Sequence, residues 1–167
     1  MKENIQIINE LVINVLDSST KKEGTCLYMG ALLFAQINDN LKIKSKLVVG
    51  TLTVSNKLVF SHKPIQPLLK SEKDFSGKWD GHAWVEVEGI IIDPSVFWTI
   101  NSPEVSPDFR KLFEKTFKGT PDYLIGSRVN LEKIGVFYKQ HEELSDADAT
   151  LLIKSGLQAG FIAAPRN

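Results

Sequence analysis

The chain is short of several things, and each shortage excludes something. It has a single cysteine, two methionines and three histidines in 167 residues. A lone cysteine cannot close an intramolecular disulfide, which fits a reducing compartment or a fold that needs no staple. Neither charge sign is in excess: Lys and Arg number 20, as do Asp and Glu. Net charge therefore gives no reason to expect nucleic acid or an anionic membrane as a partner. The basic residues Lys42, Lys44 and Lys46 are spaced for one solvated face of a strand. No apolar run reaches the roughly 20 residues of a membrane span. Met1 to Gln6 carry an acid and amides where a secretory signal needs a basic region and then apolar residues, so the expected address is cytoplasmic, although a signal-less secretion route would leave no trace. His62 and His141 sit in polar loops, where both are expected to be solvated, without the spacing of metal ligands, and no phosphate loop appears, so no metal or cofactor is expected.

What is present reads as one domain over 1–167. Ile5, Ile8, Leu11, Val12, Val15 and Leu16 recur at helical intervals, predicting a helix over 4–16. Residues 21–24 read as a loop. From Thr25 the sequence turns almost wholly apolar to Ile37, a helix buried on most sides and ended by Asn38-Asp39-Asn40. Strands are expected at 47–54 and 58–60 around a turn at Ser55-Asn56-Lys57, then a loop from Ser61 to Lys78 that flanks a cleft. Val96 to Ile100 reads as a short extended piece. Ser106-Pro107 opens a helix that ends at Gly119. Residues 121–131 give no clear signal, 134–138 reads as a strand, and Ser145 with Asp148 caps a last helix to about Lys154, followed by a fraying tail from Ala163. Helices followed by strands joined by hairpins predict an α+β fold with an antiparallel sheet.

The informative stretch is Asp80 to Pro94. Ala83 to Val87 alternate as a half-buried strand, Glu88-Gly89 is a turn, and Ile90 to Asp93 return. A two-residue loop pairs Val87 with Ile90, Val85 with Ile92 and Trp84 with Asp93. His82 and Asp93 then share a face as diagonal neighbours, within reach of a hydrogen bond. An aspartate among Ile90, Ile91 and Ile92 is costly to bury without a partner, although a strand-end aspartate capping the turn at Pro94 would read similarly. Cys26 lies at the second residue of the apolar helix, where free amide hydrogens and the helix dipole favour a thiolate. Alone it would be a small core residue. Together with His82 and Asp93 it reads as a nucleophile. Thr25 beside the thiol and Trp79 and Trp84 flanking His82 are the candidate substrate contacts, and as packing residues they need no such role. Glu86 reads as a polar strand position.

These residues resemble a family. Gly24-Thr25-Cys26 opening an apolar helix, Gly81-His82-Ala83-Trp84-Val85-Glu86-Val87, and Ile92-Asp93-Pro94-Ser95 resemble, over roughly residues 20–98, the transglutaminase-like superfamily of papain-fold cysteine enzymes. The likeness is to small bacterial members, including peptidases that remove leaders from lasso peptide precursors. It implies a papain-like fold, Cys26 as nucleophile, His82 as base and acid, Asp93 as the group that orients the imidazole, and a peptide or protein amide as substrate. Peptidase, deamidase and transglutaminase outcomes all stay open. So do two rivals, a silent papain-like peptide-binding module and an effector or toxin that modifies a host glutamine. No glutamine shortly precedes Cys26 to complete an oxyanion hole. The Cys26 amide is one donor, and Ser18, Ser19, Thr20 or a Trp indole are candidates for the second.

Overall fold

A computed structural model describes residues 2–21, 24–71, 75, 79–119 and 121–164. Among these lie seven helices and six strands, an α+β arrangement around one antiparallel sheet. The helical stripe at the start becomes α1 (Lys2–Ser18), and the apolar run becomes α2 (Thr25–Asn40). Strand β1 (Ser45–Val54) is central because it is long enough to be paired along both edges. One edge takes β6 (Val136–Leu144), and the other takes β3 (His82–Val87) and then β2 (Lys57–Phe60) in succession. Beyond β3 come β4 (Ile90–Asp93) and β5 (Leu124–Ser127).

The sheet buries both faces, and the strand alternation decides which residue meets which layer. Leu47, Val49, Ala83, Val85 and Ile92 pack with α1, α2 and α7 (Asp146–Gln158). Val48, Leu52, Trp84 and Ile91 pack on the other side with α4 (Val96–Ile100) and α5 (Pro107–Phe117). Helix α2 comes close to β3 at Gly30, where an added Cβ would lie 3.2 Å from the Leu47 side chain and 3.6 Å from the Ala83 methyl. That approach fixes α2, and with it Cys26, against the strand that begins at His82. Among the described residues no helix is long and apolar enough to cross a membrane.

Several expectations need correction. Val96 to Ile100 is a helix, not an extended piece. Its β-favouring side chains are overridden because Asp93 Oδ1 accepts the backbone N–H groups of Ser95 and Val96, each at 3.0 Å, and curls the chain into the Thr99-to-Ser95 helical bond. The strand expected at 134–138 starts at Val136 and continues to Leu144; its polar, mostly exposed second half hides the pattern. The unread stretch holds β5 and α6 (Arg128–Lys133). Segment 61–80 contains α3 (Gln66–Ser71), and Ile65, Leu69 and Phe75 fasten it to the α2 side of the core; 72–74 and 76–78 lie outside the described residues. Lys42 and Lys44 precede β1, and only Lys46 is in it, 3.0 Å from Glu143. The tail is still held at Ala163, whose N–H donates to the Ser18 carbonyl at 2.7 Å; 165–167 lie outside the described residues, as do Lys22 and Glu23 of the expected loop.

Candidate active site

The hairpin has the expected register as far as it is paired. Val85 faces Ile92 and Val87 faces Ile90. Glu88 and Gly89 both take positive φ, 48° and 80°, the two-residue turn whose twist suits an antiparallel hairpin. Asp93 sits one step past the last rung and pairs instead with Leu124 of β5. The two side chains nonetheless meet: His82 Nε2 lies 2.5 Å from Asp93 Oδ2, with both residues almost fully buried.

Asp93 is satisfied on every side. Oδ1 accepts from the Ser95 and Val96 amides and from the Ser95 hydroxyl at 3.2 Å. Oδ2 accepts from His82 and from the Tyr138 hydroxyl at 2.8 Å. Tyr138 was not among the sequence candidates. It reaches the site because β6 pairs with β1, which sets Tyr138 opposite Leu52 on the face that carries His82. Burial first, and then the Asp93 carboxylate, push its phenol well above the usual range, so it stays a donor.

Burial by itself would push the His82 imidazolium down. The Asp93 charge and hydrogen bond, together with a hydrogen bond and charge from Cys26, outweigh that and raise its pKa to about 10. With Nε2 committed to Asp93, Nδ1 is the ring nitrogen left for the sulfur. Phe60, also unforeseen, stacks on the imidazole at 4.3 Å and 15°. Cys26 is half-buried and, with His82 and Phe60, lines a cleft of about 370 Å³.

Of the three expected substrate contacts, only Trp79 lines this cleft. Its indole lies over Gly81, where an added Cβ would come within 2.1 Å of the ring, and its Nε1 donates to the Lys63 carbonyl at 2.7 Å. Trp84 does not reach the cleft: it is fully buried, donating to Glu86 Oε1 at 3.0 Å, because its position faces α4 and α5 rather than the strand end. Thr25 is buried as well, its hydroxyl donating to the Thr20 carbonyl at 3.0 Å. Glu86, read as a polar strand position, also pairs with Arg128.

Ser18, Ser19 and Thr20 do not line the cleft, and Thr20 is tied to Gly160 and Phe161. Among the three indoles only that of Trp98, in the cleft wall, has a buried Nε1 without a hydrogen-bond partner. His62 is not solvated as expected: its side chain is 6 % exposed, with Nε2 2.8 Å from Glu142 Oε2 and its ring stacked at 4.7 Å on His141, which lies in β6 rather than in a loop. Among the described residues no group of three or more His, Cys, Asp or Glu side chains could hold a metal ion.

No family model, curated protein or solved structure matches the chain.

Proposed function

We propose that the chain is a thiol enzyme of papain-like, transglutaminase-like fold that transfers the acyl group of a peptide or protein amide. One observation carries the reading: a half-buried cysteine at a helix start and a buried histidine backed by an aspartate act on one another in a single cleft. The order of Cys26 on the helix and His82 and Asp93 on successive strands supports the family resemblance.

In this reading the His82 imidazolium, held by Asp93, stabilises the Cys26 thiolate. The sulfur attacks the amide carbonyl, and the resulting oxyanion is met by the Cys26 backbone N–H and the Trp98 indole. His82 then gives its proton to the leaving nitrogen as the C–N bond breaks, leaving a thioester on Cys26. Water or an amine, deprotonated by His82, resolves it. A silent peptide-binding module would suit a sealed cysteine; here Cys26 is half-buried and lines an open cleft.

Intact-mass measurement after incubation with peptide thioesters is expected to show one acyl group on Cys26 and none on Cys26→Ala. Alkylation by iodoacetamide at neutral pH should outpace that of a free cysteine and slow about tenfold or more in His82→Ala, as the thiolate loses its counter-ion. Equal rates in the two proteins, with no trapped acyl group, would overturn the proposal.

A further inference from the structure

The cleft has a composition as well as a nucleophile. Cys26, His82 and Phe60 line it together. One wall is Trp79, and the other is Trp98, Val105 and Phe109, from α4, the turn after it and the first turns of α5. Both walls are firmly based. The α4–α5 wall is rooted in the second core by Phe97 and Phe113, whose rings meet edge to face at 6.2 Å. Trp79 is held by the Lys63 carbonyl and lies on Gly81. At about 370 Å³ the cleft is near the lower end of the roughly 300–1,000 Å³ typical of ligand sites, so it suits one or two side chains rather than a large cofactor.

Charge narrows the choice further. Among the described residues no lysine or arginine lines the cleft, whereas two carboxylates do, Asp80 and Glu104. Asp80 is neutralised by Lys63 Nζ at 2.6 Å. Arg110, the nearest cation in sequence to Glu104, directs Nη2 to the Val105 carbonyl at 3.4 Å and is not part of the lining. Exposed Glu104 therefore stands at the rim as an acid with apolar walls behind it. A cation drawn to Glu104 at this low-dielectric rim is attracted more strongly than one in open water, and an acidic side chain is repelled.

We infer that the cleft selects a peptide segment carrying an aromatic or large aliphatic side chain, seated between Trp79 and the Trp98–Val105–Phe109 wall, with an adjacent lysine or arginine that meets Glu104. Acidic segments are rejected. This selectivity rests on the thiol-enzyme reading for its consequence, since it determines which amide reaches Cys26, but binding itself does not need the sulfur.

The test uses tripeptidyl chloromethyl ketones that alkylate Cys26, varied at one position among phenylalanine, glycine and glutamate and at the next between lysine and glutamate. Each rate is measured by intact mass and divided by the iodoacetamide rate of the same protein. The phenylalanine probe is expected to exceed glycine by about tenfold or more, the scale of discrimination an apolar pocket gives. Lysine should exceed glutamate by a margin that shrinks with added salt. Phe109→Ala should lose the first preference, and Glu104→Lys should reverse the second. Phe109→Leu, which keeps an apolar wall, covers the case in which the alanine variant does not fold. Fast iodoacetamide labelling with equal probe rates overturns the inference and leaves the thiol reading standing. If no reagent labels Cys26, the thiol reading falls, and the matching peptide amides are titrated against tryptophan fluorescence. The same order of affinities then upholds the cleft selectivity, and no binding overturns it.

Discussion

Trp98 shows how a single residue can be required by what its neighbours already do. The indoles of Trp79 and Trp84 are committed to Lys63 and Glu86, and Thr20 is bound to the C-terminal segment, so among the indoles and the hydroxyls of residues 18–20 Trp98 alone brings an unpartnered donor to the cleft wall. A buried N–H left without an acceptor costs about 1–3 kcal/mol, and an acyl oxyanion would relieve it. Trp98→Phe keeps the ring and removes the donor. Acylation of Cys26 by p-nitrophenyl acetate is expected to fall about 10²-fold or more, the scale seen when one oxyanion donor is removed, whereas the iodoacetamide rate, which forms no oxyanion, should change little. Parallel loss of both rates would mean that Trp98 only shapes the site. The sequence left three hydroxyls and three indoles open because nothing local tells which of them is already occupied. Tyr138 and Phe60 escaped notice for a related reason: each is an ordinary strand aromatic until a distant strand brings it to His82.

At the scale of elements, the segment between β2 and β3 depends on a side chain from β6. Glu142 accepts the Ile65 and Gln66 amides at 3.0 and 3.1 Å and the His62 ring at 2.8 Å. It thus caps the start of α3 and pins the chain that leads on to Trp79. Glu142→Ala strands two helix-start amides and should cost about 1–3 kcal/mol of stability. The same variant should speed hydrogen exchange over 65–71 and alter tryptophan emission as the Trp79 wall loosens. An unchanged melting curve with unchanged exchange would show that the cap carries no weight. The hairpin behaves differently, because its information is local. A Glu-Gly turn with both residues at positive φ forces an even loop, and the alternation then sets the face of every side chain, which is why the pairing of Val85 with Ile92 was legible. For α4 the local signal was misleading. Val-Phe-Trp-Thr-Ile favours a strand, and only the Asp93 carboxylate, anchored by His82 and Tyr138, turns it into a helix.

For the whole molecule, the buried His82–Asp93 pair links stability to pH. The folded pKa of His82, about 10, is above the unfolded value of 6.5, so folding favours the protonated ring. The stabilisation is complete below about pH 6.5 and is lost as pH rises through 10. The melting temperature should therefore decline across that window, and His82→Gln should show a flatter curve there. A native curve as flat as that of the variant would contradict a charged imidazole in the core. The helix stripes, the β3–β4 register and the shared face of His82 and Asp93 are legible in the chain's own pattern, because each follows from periodicity and turn chemistry within a few residues. Tertiary structure alone decided that α2 approaches β3 closely enough for Cys26 to meet His82, that Tyr138 and Phe60 complete the surroundings of the imidazole, and that Trp84 is core while Trp98 is wall. Those contacts join residues far apart in the chain, and their free energy comes from burying both faces of the sheet at once, a term no local window contains.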